Sequence, residues 1–210
     1  MIATPSSMTD LPRPSPPPAT SKAELRAWAR AARDATPVAT RANAAAAIAD
    51  TIDASFLATL APGSVIALFA AMGSELDLRA LDGRARARGL EVAYPRVIRG
   101  QRPLAFHLAA PGDLRPATFG VPEPLPSAPA VALDAIRLVV VPGLAFTAAG
   151  ARLGWGAGHY DATLPATAGP ALGVVLAALV VDALPEAAHD RRVDQVITEH
   201  GVVARPGSRS

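Results

Sequence analysis

The sequence predicts a single α/β domain of three layers, a mostly parallel sheet packed between helices, and three observations point there. Several short apolar runs, among them VIALFA at 65–70 and IRLVVV at 136–141, are continuous rather than alternating, as strands covered on both faces are. Segments of helical length and period separate them, and that alternation is what a parallel sheet with helical crossovers requires. No internal repeat or change of regime divides the 210 residues, a length that builds one sizeable core.

Residues 1–20 (MIATPSSMTDLPRPSPPPAT) are rich in proline, serine and threonine, lack any apolar period, and are expected to form a disordered tail. The domain is expected over 21–204, with a flexible C-terminus at 205–210. Ser-Lys-Ala-Glu at 21–24 matches a capping box, with Ser21 as N-cap and Glu24 reaching back to it. In the helix that follows, Leu25, Trp28 and Ala32 share a core-facing side, and Lys22, Arg26, Arg30 and Arg33 share another. That basic stripe reads either as a solvated face or, beside a capped first turn, as a phosphate-binding surface.

Thr36-Pro37 opens a second helix that runs through an alanine-rich stretch to about residue 60. A strand over 65–70, a helix over 76–88 ended by Gly89 and a strand over 91–97 come next. A further strand over 104–109, the strand 136–141 and a central strand over 172–181 complete the set. In open parallel sheets, ligands bind beyond the carboxyl ends of the strands. The segment ARLGWGAGHYDATL, 151–164, follows the strand 136–141 through Pro142-Gly143 and so belongs to that edge.

Composition narrows the function. There is no cysteine, which excludes disulfides, thiolate zinc sites and thiol catalysis. His107, His159, His189 and His200 form no HxxxH or HExxH pair, so no zinc site is expected. Net charge is +2, aromatics are 4% and no long basic run occurs, which disfavours a nucleic-acid surface and suits a small anionic ligand. The longest apolar stretch, 171–181, is too short to span a bilayer and no signal peptide opens the chain, so a cytoplasmic protein is expected. Lys22 is the only lysine. It is either a chance survivor of an arginine-favouring coding bias or a place where a compact ammonium cannot be replaced by a planar fork.

The glycine segment fits neither of two nucleotide fingerprints. It reads G-x-G-x-G rather than G-x-G-x-x-G, and no Gly-Lys pair exists for a P-loop. Alternating glycines still allow successive N–H groups to converge on an anion. Arg152 stands before them with a fork suited to phosphate oxygens, and Asp161 follows as the kind of ligand Mg²⁺ takes beside phosphates.

The stretch VVVPGLAFTAAGARLGWGAGHYDATL, 139–164, resembles the signature of the 5-formyltetrahydrofolate cyclo-ligase family, Pro-Gly-x-x-Phe-Asp followed by Gly-x-Arg-Leu-Gly-x-Gly-x-Gly-Tyr-Tyr-Asp. KAELR at 22–26, IALFAAMGSELDL at 66–78, YPRV at 94–97, FGVPEP at 119–124 and RRVDQVIT at 191–198 resemble its other landmarks, so the likeness spans about residues 21–200. The resemblance implies a three-layer fold related to the sugar-phosphate isomerase and CoA-transferase type. It also implies an ATP- and Mg²⁺-dependent conversion of 5-formyltetrahydrofolate to 5,10-methenyltetrahydrofolate.

By position, it implies ATP binding at Lys22, Arg26, Arg152, Leu153, Gly154, Trp155, Gly156, Ala157, Gly158, His159 and Tyr160, with Lys22 and Arg152 in the catalytic role. It implies folate contacts at Ala70, Glu75, His159 and Tyr160, and magnesium at Asp161 and Asp194. Small molecules are the partners it implies, with no nucleic acid, membrane or obligate protein.

Thr147, Ala157, His159 and Ala162 depart from the family pattern. Thr147 is expected to cap the next turn, and His159 to stand in for an aromatic ring. Two other classes compete. A non-catalytic folate or nucleotide binder on the same fold would not need the aspartates assigned to magnesium. An isomerase or CoA-transferase type enzyme predicts a catalytic glutamate or lysine at a strand end, and no such motif is present.

Overall fold

A computed structural model describes residues 21–117 and 120–205. The tail expected over 1–20 lies outside the described residues, as does the C-terminal segment beyond Arg205. The first helix, α1 (Lys22–Ala35), begins at the expected N-cap: the Ser21 hydroxyl accepts the Glu24 N–H at 3.3 Å, and the Glu24 carboxylate reaches back to accept that hydroxyl at 2.9 Å. Leu25 and Ala29 fill its inner side, and Arg33 is buried with them; of the basic stripe only Arg30 is exposed, with Lys22 and Arg26 half-buried.

The second helix, α2 (Val38–Ser55), takes Pro37 as its N-cap and buries Ala44, Ala45, Ile48, Ala49 and Ile52. It stops short of residue 60 because the chain tightens into a single 3₁₀ turn, Leu57–Thr59. The strand β1 (Val65–Ala67) is shorter than its apolar run, because Phe69 and Ala70 leave the sheet to line a cavity. The helix α3 (Arg79–Ala87) starts three residues later than expected. Asp77 accepts the Arg79 N–H at 3.0 Å, and Leu76 and Leu78 are buried in the loop before it.

The strands β2 (Glu91–Arg96) and β3 (Ala105–Leu108) follow, and then the short pair β4 (Arg115–Pro116) and β5 (Pro122–Glu123). Beyond them come β6 (Ala130–Val131), β7 (Ile136–Pro142), β8 (Ala145–Thr147) and β9 (Arg152–Leu153). A short helix, α4 (His159–Thr163), precedes β10 (Ala171–Val174), β11 (Val180–Val181), β12 (Gln195–Thr198) and β13 (Gly201–Val202). The apolar run 172–181 is thus two strands of different sheets, separated by a 3₁₀ turn at Ala177–Leu179.

The main sheet has the order β13-β12-β10-β7-β1-β2-β3-β6, and its five inner strands, β12 to β2, run parallel. The edges, β13, β3 and β6, are antiparallel. A second sheet, β11-β8-β9, packs near α1. From β1 the chain winds one way, to β2; from β7 it winds the other way, to β10 and β12. The reversal falls between the neighbours β1 and β7, and loops leaving their carboxyl ends diverge there to leave a crevice. Among the described residues no helix is long and apolar enough to cross a membrane.

Candidate active site

A cavity of about 740 Å³ opens at that crevice. Phe69 and Ala70 enter it from the end of β1, Pro95 and Val97 from the end of β2, and Pro142 from the end of β7. Its roof is the segment 152–161, and its side is the first turn of α1. Of the residues singled out in the sequence, Lys22, Arg26, Ala70, Glu75, Arg152, Leu153, Gly154, Trp155, Gly156, Ala157, Gly158, His159, Tyr160 and Asp161 all line it. The volume suits one or two extended small molecules.

The glycine segment is shaped by two close approaches. A Cβ on Gly154 would lie 2.5 Å from the Arg152 guanidinium, so only glycine lets that fork fold back beneath the loop. Gly156 has φ +107°, a left-handed conformation that a side chain resists, and the Arg26 guanidinium lies against it. Arg26 also donates from Nε to the Gly154 carbonyl at 2.9 Å, which ties the loop to α1. The expected positive φ is therefore present at Gly156, while Gly154 serves as clearance.

Arg152 is nearly enclosed, with its side chain 7% exposed. Its Nη2 donates to Asp161 Oδ1 at 3.1 Å, and its guanidinium carbon lies 5.5 Å from the centre of the Tyr160 ring. Its Nε has no partner, and neither does the Tyr160 hydroxyl. Among the described residues these are the two buried side-chain polar atoms without a hydrogen bond, and both residues line the cavity. Burial pushes the Tyr160 phenol above its ordinary pKa; Arg152 pulls it partly back and Glu75 adds to the rise. An enclosed donor left unpaired costs free energy, so these atoms mark where a polar ligand belongs.

The lone lysine is paired. Lys22 Nζ lies 2.5 Å from Asp190 Oδ2, which also accepts the Ala187 N–H at 2.7 Å. Burial raises the Asp190 carboxyl, but the Lys22 bond, the Ala187 N–H and nearby positive charge outweigh it, and it titrates below the usual aspartate range. Asp190 was not singled out in the sequence, because nothing in HDRRVD separates it from Asp194.

The structure does separate them. Asp194 stands at the amino-terminal edge of the sheet, where its Oδ2 accepts the Ala171 N–H at 2.8 Å and fixes the start of β10. The chain crosses from one sheet edge to the other between these two residues. The expected pairing of Asp161 with Asp194 is therefore not formed; Asp161 and Asp190 share the cavity instead.

Those two carboxylates fit a magnesium ion that takes most of its ligands from phosphates. Asp161 accepts Arg152 and the Arg191 N–H through Oδ1, and Asp190 accepts its two donors through Oδ2, so each is hydrogen-bonded through one oxygen, while His189 Nε2 lies 3.8 Å from Asp190 Oδ1. Among the described residues no cluster of three or more His, Asp or Glu side chains could hold a metal by protein ligands alone.

Glu75 is held from three sides: Oε1 accepts the Trp155 indole at 2.9 Å, Oε2 accepts the Met72 N–H at 2.9 Å, and Arg33 Nη1 lies 3.7 Å away. Burial lowers the Arg33 guanidinium, against the charges of Glu75 and Asp34. A second acid, Glu123, is 3% exposed on the cavity wall and accepts the Val97 N–H at 3.2 Å. Glu123 carries no local sequence signal of function, and only folding puts it on the cavity wall; Arg33, of the basic stripe, does not line the cavity but meets Glu75, which does.

His159 stands at the first turn of α4 with Nδ1 2.8 Å from the Arg102 carbonyl. A carbonyl only accepts, so Nδ1 carries the hydrogen. Thr147 closes a turn as expected: its hydroxyl accepts the Ala151 N–H at 3.1 Å.

Known proteins resemble this chain over most of its length. Residues 18–199 match the 5-formyltetrahydrofolate cyclo-ligase family. A 5-formyltetrahydrofolate cyclo-ligase of Mycolicibacterium smegmatis is 33% identical over 193 residues, covering 88% of this chain and 97% of that protein. The structure of Aquifex aeolicus 5,10-methenyltetrahydrofolate synthetase superposes with a TM-score of 0.75 at 28% identity, over 90% of this chain and 95% of that one. A 5,10-methenyltetrahydrofolate synthetase from Mycoplasma pneumoniae shares the fold, with a TM-score of 0.69 at 19% identity over 85% of this chain and 98% of that one.

Proposed function

The chain belongs to the 5-formyltetrahydrofolate cyclo-ligase family, and from that membership we propose that it closes 5-formyltetrahydrofolate to 5,10-methenyltetrahydrofolate at the expense of ATP, with magnesium. The observation that carries the ATP reading is the unpartnered Arg152 Nε beside the unpartnered Tyr160 hydroxyl, both enclosed in a cavity whose other charged groups are Lys22, Arg26 and four carboxylates.

The proposed reaction has two steps. The formyl oxygen attacks the γ-phosphorus and ADP leaves. N10 then attacks the activated formyl carbon, the ring closes, and phosphate departs with the formyl oxygen and takes up the proton that N10 gives up. Phosphoryl transfer asks a protein mainly for position and for neutralised charge. Arg152 supplies a fixed fork, and Lys22, held by Asp190 until the phosphates compete for it, supplies a mobile point charge. Arg26 holds the glycine loop, whose N–H groups face the same anion. Asp161 and Asp190 are the residues that would hold magnesium; the ion supplies charge neutralisation and an oriented phosphate chain. Glu75 accepts from the donor-rich pterin, while His159 and Tyr160 supply ring surface between the two ligands. Residues 21–204 would form the one domain involved, working in the cytoplasm.

The test is direct. Purified protein with 5-formyltetrahydrofolate, Mg²⁺ and ATP should develop the near-ultraviolet absorption of the methenyl product. No signal, or an equal signal without ATP, overturns the proposal. Lys22→Ala and Asp161→Ala should each reduce turnover by orders of magnitude without loss of fold.

A further inference from the structure

Trp155 is 43% exposed, yet both its ring and its N–H have partners. Its ring lies over two guanidinium groups of α1, 5.2 Å from that of Arg33 and 5.9 Å from that of Arg30. Its indole N–H reaches across to Glu75 Oε1. On one side of it, the Gly154 carbonyl is held by Arg26; on the other, Gly156 turns in a left-handed conformation above the same arginine. One residue of the phosphate loop thus touches the carboxylate assigned to the folate.

We propose that Trp155 is a positioning residue that presets Glu75 for the pterin and makes nucleotide and folate bind cooperatively. This rests on the reading above, that Glu75 receives the pterin. A carboxylate oxygen has two acceptor sites. Trp155 bonds Oε1, where Arg33 Nη1 also lies 3.7 Å away, and the Met72 N–H bonds Oε2, so each oxygen keeps a second acceptor site. That is the complement of two adjacent N–H donors on one edge of a pterin ring. The carboxylate meets such an edge squarely only in one rotamer, and the indole is the donor that fixes this rotamer from the loop side.

The loop carrying the indole is also the one that nucleotide phosphates would order. Phosphates that settle the loop settle the indole, and the indole settles Glu75. By thermodynamic linkage the folate must then tighten the nucleotide by the same factor. Losing one charge-assisted hydrogen bond sets the scale, about tenfold.

Trp155→Phe isolates the effect, because it keeps a ring over Arg33 and removes the N–H. The expected result is a KM for 5-formyltetrahydrofolate raised about tenfold, a much smaller change in kcat, and loss of the mutual tightening between the folate and a non-hydrolysable ATP analogue in calorimetry. An unchanged KM together with unchanged cooperativity overturns the proposal, and so does wild-type protein that shows no cooperativity to lose.

A second measurement needs no turnover. The chain has two tryptophans, so ¹⁵N-indole labelling gives two resonances, and Glu75→Gln should move the one that Trp155→Phe removes. A resonance that stays in place denies the contact itself. Failure of the cyclo-ligase assay in wild-type protein would instead count against the function, with the indole experiment still reading the contact.

Discussion

Arg152→Lys separates a ligand-binding arginine from a structural one. In the ligand-free protein, Arg152 uses Nη2 on Asp161 and leaves Nε enclosed and unpaired. An unsatisfied buried donor costs roughly 1–3 kcal/mol. Lysine has no Nε, so the substitution relieves that cost while forfeiting the geometry of the Asp161 bond, and the two nearly cancel. The melting temperature should therefore stay within about 4 °C of wild type.

ATP use should suffer much more. A phosphate met by a fork takes two parallel bonds, whereas an ammonium gives a point contact. Losing one charge-assisted hydrogen bond, roughly 1.5–3 kcal/mol, corresponds to about a 10- to 150-fold fall. The assay is kcat/KM for ATP at saturating folate, followed by methenyl absorbance, beside a thermal melt. A loss below about threefold, or a drop in melting temperature beyond about 10 °C, would refute the reasoning by making Nε irrelevant to ligand or Arg152 a structural prop.

Two further predictions test the site's surroundings. Asp190→Asn should raise the KM for ATP at least about fivefold, since Lys22 loses the charge that places it and the proposed magnesium site loses one of its two carboxylates, and Asp190→Glu should recover part of that. Its stability cost should stay under about 1 kcal/mol, because the pair is partly solvated; a variant with unaltered KM would remove Asp190 from the site. The chain's two tyrosines, Tyr94 and Tyr160, are both pushed upward, chiefly by burial, and Tyr94 also by the Asp82 carboxylate that accepts its hydroxyl at 3.0 Å. A folded-state pKa above the unfolded one contributes stability that is complete below about pH 10 and lost as pH rises past it, because the unfolded chain deprotonates first. Phenolate absorbance should stay flat to about pH 11 while circular dichroism is native and then rise with unfolding; a titration near pH 10 in folded protein contradicts this.

Much of the fold was legible because its strands are continuous apolar runs, and IRLVVV became β7 almost residue for residue. Three of the misjudged boundaries share one cause. Apolar residues at 68–70, 76–78 and 175–181 are buried by the cavity floor, a loop and the second sheet, and hydropathy cannot tell these from a strand or helix. At the site, the glycine segment and Lys22 announced themselves by composition. Glu123 and Asp190 did not, since each acquires its role from a partner distant in sequence. Asp194 shows the converse: a residue placed by local likeness to a motif turned out to hold the start of a neighbouring strand.

The basic residues of α1 find their partners in an order set by synthesis. Arg33 can settle as soon as Ser74 and Glu75 exist, at the helix's far end. Arg26 and Arg30 must wait for Gly154 and Trp155, and Lys22 for Asp190, 168 residues beyond it. At ordinary translation rates the interval from residue 75 to residue 190 is on the order of ten seconds. During that time the N-terminal half of the helix lacks the side-chain partners that Arg26 and Lys22 have in the folded protein. It is then drawn down toward its N-terminus, so the ammonium poised for phosphate is the last charge on the helix to be answered. A ribosome-bound chain lacking its last few dozen residues would already own the glycine loop and still be unable to hold Lys22 in place.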